Sequence, residues 1–226
     1  HRSAPRGVPL ETDRAVAGLR AGNPRDALRR EARRLHRRYL IEVVERFSVC
    51  PWAKAARVED RMRTHVVTER SCAADTLRPV IEKWADDDRV EVAFVIAPLF
   101  VGSREAFASW ASTVASLREE VFLGAPFHPE PRPGTIPLLR RTPDPTLQLV
   151  RRVRLEAIRA QDPPHYQDIF TLDLRSLERA GDPKTVAASV LAHNDRLLAE
   201  ARPELESVLE AIHQDRQTTY GDMHSL

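Results

Sequence analysis

The most constraining stretch of the chain is Val90-Glu-Val-Ala-Phe-Val-Ile-Ala97, nearly continuous in apolar residues. A strand with no polar side must be covered on both faces, so this segment predicts a central strand between two helical layers. Its surroundings agree. Met62–Val67 and Val121–Phe127 read as further strands, and Gln167–Leu174 as a fourth. A helix at about Ala73–Ala85 gathers Leu77, Val80, Ile81 and Trp84 on one side. Another, capped by Ser103 and running to about Glu120, gathers Phe107, Trp110, Val114 and Leu117. Strands alternating with helices make this an α/β chain, with a mixed sheet of about four strands and helices packed on it. A long C-terminal helix, from Lys184 to about Arg216, follows the start signal Asp182-Pro183.

Residues 1–27 hold three prolines and three glycines without a sustained apolar stripe, so they read as a mobile N-terminal arm. Residues 28–226 then form a single α/β domain. Its first helix spans about Leu28–Ser48: Leu35, Tyr39, Val43 and Phe47 fall four apart, while Arg30, Arg33, Arg34, Arg37 and Arg38 occupy the other face. Pro51 stops it, and a short helix runs from Pro51 through Ala56. Between Pro126 and Pro145 lie seven prolines, at 126, 129, 131, 133, 137, 143 and 145. That density predicts a loop without regular structure, and a long loop inside a compact domain points to function. A helix at about Thr146–Ala160 is expected after it.

Composition removes several function classes. Lys and Arg number 35 against 33 Asp and Glu, a net charge of +2, without the basic excess of a protein that tracks nucleic-acid phosphates. No apolar run is long enough for a membrane span. Two cysteines, Cys50 and Cys72, cannot make a disulfide scaffold, and a reducing, cytoplasmic setting is the simpler expectation. Glycine is scarce at 8, and no Walker, dinucleotide or serine-hydrolase motif occurs.

Three segments can carry chemistry. Cys50 ends the first helix three residues after Phe47 and precedes the Pro51 helix. A thiolate there would be favoured by the helix N-terminus and by Arg46 and Lys54, or the residue is a small hydrophobe of the core. A Cys-Pro dipeptide also occurs as a thiolate ligand of haem iron. His128, in Phe127-His128-Pro129, sits where a strand runs into the proline-rich loop, a position for a ligand or a proton shuttle, or for a histidine bonded to backbone. In Arg140-Arg141-Thr142-Pro143-Asp144, Thr142 or Asp144 can cap the following helix, giving an anion site with Arg140 and Arg141. His36 and His193 lie on helices beside apolar stripes, where histidines are mostly structural.

Cys50-Pro51-Trp52-Ala53-Lys54, Phe127-His128-Pro129 and Arg141-Thr142-Pro143-Asp144-Pro145-Thr146-Leu147-Gln148-Leu149-Val150-Arg151 resemble three motifs of one uncharacterised bacterial family. Its members read CPFAK, SFHP and RSPYPTLHLLRE, in that order and at similar spacing. The resemblance covers roughly residues 35–160. It implies that Cys50, His128, Arg141 and Arg151 belong to one site. Trp52 stands for Phe, Asp144 for Tyr, Gln148 for His and Arg152 for Glu, and the chain runs on beyond the family's usual end.

The expected function is an enzyme with Cys50, His128 and Arg141 in one pocket beneath the proline-rich loop. Trp52, Lys54, Phe127, Arg140, Gln148 and Arg151 would bind the ligand. Cys50 or His128 would ligate haem or another transition metal in an oxidoreductase acting on a small anionic metabolite. Alternatively Cys50 is a nucleophile with His128 as its base, in a transferase or hydrolase. A non-catalytic ligand-binding module is the reading from another class. The expected partner is a small-molecule substrate, with neither nucleic acid nor membrane, and the long final helix could pair with a second copy in a homodimer.

Overall fold

The computed structural model describes residues 23–160 and 185–224. Helix α1 (Pro24–Arg38) starts where Asn23 accepts a hydrogen bond from the Arg25 amide, with proline in the first turn. It continues into a π-helical stretch, Tyr39–Glu45, that buries Tyr39, Val43 and Val44. Then come α2 (Ala53–Val58), β1 (Met62–Val66), α3 (Arg78–Asp86), β2 (Val92–Ile96), α4 (Arg104–Ala115), β3 (Phe122–Phe127), α5 (Thr135–Leu139), β4 (Thr146–Arg151), α6 (Arg152–Arg159), α7 (Val186–Glu200) and α8 (Arg202–His224).

The four strands form one mixed sheet in the order β1-β2-β4-β3. β1 and β2 are parallel, joined by the α3 crossover; β4 runs antiparallel to both neighbours. Alternate residues of β2 serve the two helical layers, as its apolar run requires. Ala93 and Val95, with Leu147 and Leu149 of β4, pack on Leu77, Ile81 and Trp84 from one segment and Phe107, Ala111 and Val114 from α4. Phe94 and Ile96 face the other way, against Ala32 of α1. Burying each large apolar side chain contributes about 1.5–3 kcal/mol, so both layers are needed. On the α1 side, Tyr39, Val43 and Phe47 also meet Leu205, Leu209 and Ile212 of α8. At Gly124 of β3 an added Cβ would stand 2.5 Å from the Ala115 Cβ, so α4 rests directly on the backbone there.

Several expectations need correction. Thr146–Arg151 is a strand and only Arg152–Arg159 is helical. Leu147 and Leu149 alternate with Thr146 and Gln148, and strand pairing on both sides prevailed over the helical reading. The fourth strand is therefore β4; the expected strand at Gln167–Leu174 lies outside the described residues. The proline-rich segment is not wholly irregular, since α5 forms within it around Pro137. The last long helix is two helices, broken at Ala201 before Pro203. α1 begins at Pro24, inside the expected arm, of which residues 1–22 lie outside the described residues. Pro126 is compatible with β3 because that strand is an edge.

His36 is a buried oddity. Its ring lies 4.5 Å from that of Phe94, and neither nitrogen has a hydrogen-bond partner. Burial lowers its pKa to about 4.

Candidate functional site

A cavity of about 320 Å³ lies between the α1 face of the sheet, the π-helical stretch, α2 and α6. Phe94, Gln148 and Phe127 supply its floor, and Tyr39, Leu40, Cys50, Trp52 and Ala56 wall it from above. The chain reaches Cys50 through a tight turn, with Ser48 at φ 52. α7 pins that turn: His193 Nε2 donates to the Phe47 carbonyl at 3.0 Å, and Asn194 Nδ2 donates to the Val49 carbonyl at 3.5 Å.

The Ala53 N–H at the start of α2 donates to the Cys50 carbonyl at 3.2 Å. Burial pushes the Cys50 thiol above its ordinary pKa, against the pull of the nearby Trp52 and Ala53 N–H groups. The thiolate expected there is therefore not the resting form. Among the described residues, no histidine or aspartate lines the cavity, and the one carboxylate that does, Glu91, is held by Arg61 and by Arg154 at 3.1 Å. Tyr39 donates to the Leu139 carbonyl, and burial pushes its phenol well above the ordinary range.

Arg140 stands at the cavity with its guanidinium carbon 5.2 Å from the Phe127 ring centroid. It has no carboxylate partner among the described residues, and desolvation lowers its pKa. Five of the expected site residues thus line one cavity: Cys50, Trp52, Phe127, Arg140 and Gln148. Lys54 is exposed on α2 and does not line it.

The other three do not join them. His128 follows Phe127 and faces the opposite layer, its ring 5.9 Å from that of Phe107. It lines a separate cavity of about 180 Å³ with Arg104, Glu105 and Arg132. Its Nδ1 accepts from the Glu130 amide at 3.2 Å, and burial lowers its pKa. The pairing of Cys50 with His128, as metal ligands or as nucleophile and base, is corrected on this ground: consecutive strand residues point to opposite faces, and the sheet separates them. Arg141 ties the proline-rich segment to α8, donating from Nε to the Pro129 carbonyl at 3.2 Å and reaching Glu210 at 3.3 Å. Arg151 is structural. Its Nε donates to the Val90 carbonyl at 2.7 Å and its Nη2 to those of Trp84, Ala85 and Asp87 at 3.0, 3.2 and 2.8 Å. It closes the C-terminus of α3 and stacks on Phe122.

The anion site expected at a helix start after Thr142 and Asp144 has no helix to form on, because β4 follows. Asp144 is instead fully buried and accepts from Arg216 Nε at 2.7 Å and from the Tyr220 hydroxyl at 2.8 Å. Burial raises its pKa against the pull of both donors. Sequence reasoning missed Asp144, Arg216 and Tyr220 as a unit, and also missed Tyr39, Glu91 and Arg154 at the cavity. Asp144 stands between two prolines, and the residues that answer it lie 72 and 76 positions further on, in the C-terminal helix, beyond the reach of local reading.

Among the described residues, no group of three or more His, Cys, Asp or Glu could hold a metal ion. No helix among them is long and apolar enough to cross a membrane. Comparison with family models, with curated proteins and with solved structures finds no match to this chain.

Proposed function

We propose that the protein binds a small, largely apolar molecule in the Cys50 cavity. The observation that carries this reading is the cavity itself. Its 320 Å³ falls in the range of small-molecule sites, and apolar side chains with a few polar groups at the edges line it. The π-helical stretch along one wall supports it, since such departures from the α-helix cluster at functional sites. Cys50 acts in this reading as a neutral contact in the wall, because burial disfavours its thiolate and, among the described residues, the only carboxylate at the cavity, Glu91, is paired with arginines. The two free cysteines accord with a reducing, cytoplasmic setting.

The test uses N-phenyl-1-naphthylamine, an uncharged fluorescent probe. Saturable binding at one probe per chain is expected, with alkylation of Cys50 slowed and alkylation of Cys72 unchanged. Cys72 is the internal control because it lies outside the cavity, with Thr76 Oγ1 at 2.9 Å from its sulfur. If the probe does not bind, or binds without protecting Cys50, the reading is wrong.

A second reading keeps Cys50, a free cysteine in the cavity wall, as the ligand of haem or another transition metal in an oxidoreductase acting on a small anionic metabolite. A Soret band in the purified protein would move the assignment there.

A further inference from the structure

We infer that the ligand of this cavity is an amphipathic organic anion, whose charged group is received by Arg140 and Gln148 and whose apolar body lies against Phe127, Phe94 and Tyr39. The inference rests on the cavity reading and names the chemistry of its occupant.

It starts from the charges around the cavity. Glu91 is answered by both Arg61 and Arg154, so the positive charge of Arg154 already has its counter-charge. Arg140 has none among the described residues; its one described partner is the face of Phe127. A guanidinium is always charged, and a ring face satisfies its plane while leaving its N–H edge open. The Arg140 backbone is fixed, because its carbonyl accepts from the His128 amide at 3.3 Å and from the Thr142 amide at 3.0 Å. The base of the side chain is therefore fixed at the cavity rim, and the exposed guanidinium rests on the Phe127 ring.

Gln148 adds the second donor. On β4 it pairs with Phe94 of β2 and Ala125 of β3, one side-chain step from the Phe127–Thr146 pair and on the same face. Its amide lines the cavity and has no hydrogen-bond partner among the described residues. A glutamine supplies N–H donors without the negative charge that would repel an anion. The neighbouring groups add no competing charge. Tyr39 spends its hydroxyl on the Leu139 carbonyl, and burial keeps the Cys50 thiol protonated. One cation without a counter-charge among the described residues, exposed at the rim of an apolar cavity that an unpaired amide also lines, is the recognition pattern for a carboxylate or sulfonate on an apolar body.

The experiment compares two probes that share one ring system: uncharged N-phenyl-1-naphthylamine and 8-anilino-1-naphthalenesulfonate. Wild type should bind the sulfonate and protect Cys50 with it. Arg140→Gln should weaken the sulfonate about tenfold to a hundredfold, the range of a lost charge-assisted hydrogen bond, and leave the uncharged probe within twofold. Gln148→Leu should weaken the sulfonate several-fold and keep or improve the uncharged probe. It supplies the answer if Arg140→Gln does not fold. If wild type binds only the uncharged probe, or if the variants bind the sulfonate as wild type does, the anion inference is overturned and the cavity reading stands. If neither probe protects Cys50, both fall.

Discussion

Lowering the pH from 7 to 4.5 should destabilise the protein through His36 in particular. The ring is buried against Phe94 with both nitrogens unpartnered, and burial brings its pKa from 6.5 to about 4. A base whose folded pKa is depressed leaves stability intact above the unfolded value. Stability is then lost as the unfolded chain takes up a proton that the folded one refuses, down to the folded pKa. With values of 6.5 and about 4, linkage gives a loss of about 2 kcal/mol between pH 7 and pH 4.5, or roughly 4–8 °C in melting temperature for a chain of this size. His65, His128 and His213 are also lowered by burial and add losses of the same sign, whereas the raised carboxyl of Asp144 opposes them. The measurement is therefore a difference: urea unfolding of wild type and of His36→Phe at both pH values. The variant keeps the ring contact with Phe94 and removes two unpaired nitrogens, so it should be at least as stable at pH 7, and its advantage should widen by about 2 kcal/mol at pH 4.5. If the gap is the same at both pH values, His36 is protonated without penalty and the description of it as an unpartnered core imidazole is refuted.

Two further outcomes test residues that the structure moved out of the site. Arg151→Ala removes a guanidinium that satisfies four backbone carbonyls around the end of α3; it should cost about 2–4 kcal/mol in urea unfolding while Cys50 protection by the uncharged probe persists, and loss of probe binding without loss of stability would return Arg151 to the site. Asp144→Asn leaves Arg216 without its counter-charge beside a fully buried position; it should cost about 2 kcal/mol or more and speed hydrogen exchange in α8, and an unchanged exchange rate there would show that Asp144 does not hold that helix.

The layered fold was legible because its signal is local and repeated. The apolar run through Val90–Ala97 demands two covering layers wherever it is placed, and the four-residue stripe of Leu35, Tyr39, Val43 and Phe47 leaves one face to bury. Where two periods fit, local reading failed. Thr146–Arg151 joins a helix directly, and its strand character depends on β2 and β3 lying on either side, which is long-range information. The candidate site was half legible for a related reason. Cys50, Trp52, Phe127, Arg140 and Gln148 do converge, but Phe127 and His128 are adjacent in a motif and opposed in space. A motif records that residues matter together in sequence; strand alternation decides which of them share a face.

The C-terminal helices change what the cavity is. Part of its wall comes from segments that lack regular hydrogen bonding of their own: the turn at Ser48–Cys50 and the residues around Arg140. Each is fastened by a polar contact reaching from α7 or α8. His193 and Asn194 hold the carbonyls of Phe47 and Val49, and so fix the approach to Cys50. Arg216 and Tyr220 hold Asp144, and Glu210 holds Arg141 on the segment that carries Arg140. None of these bonds uses the Arg140 or Gln148 side chain, and both residues line the cavity. The half-buried Gln148 amide costs free energy while it is unpaired, and a ligand group that bonded to it would remove that cost.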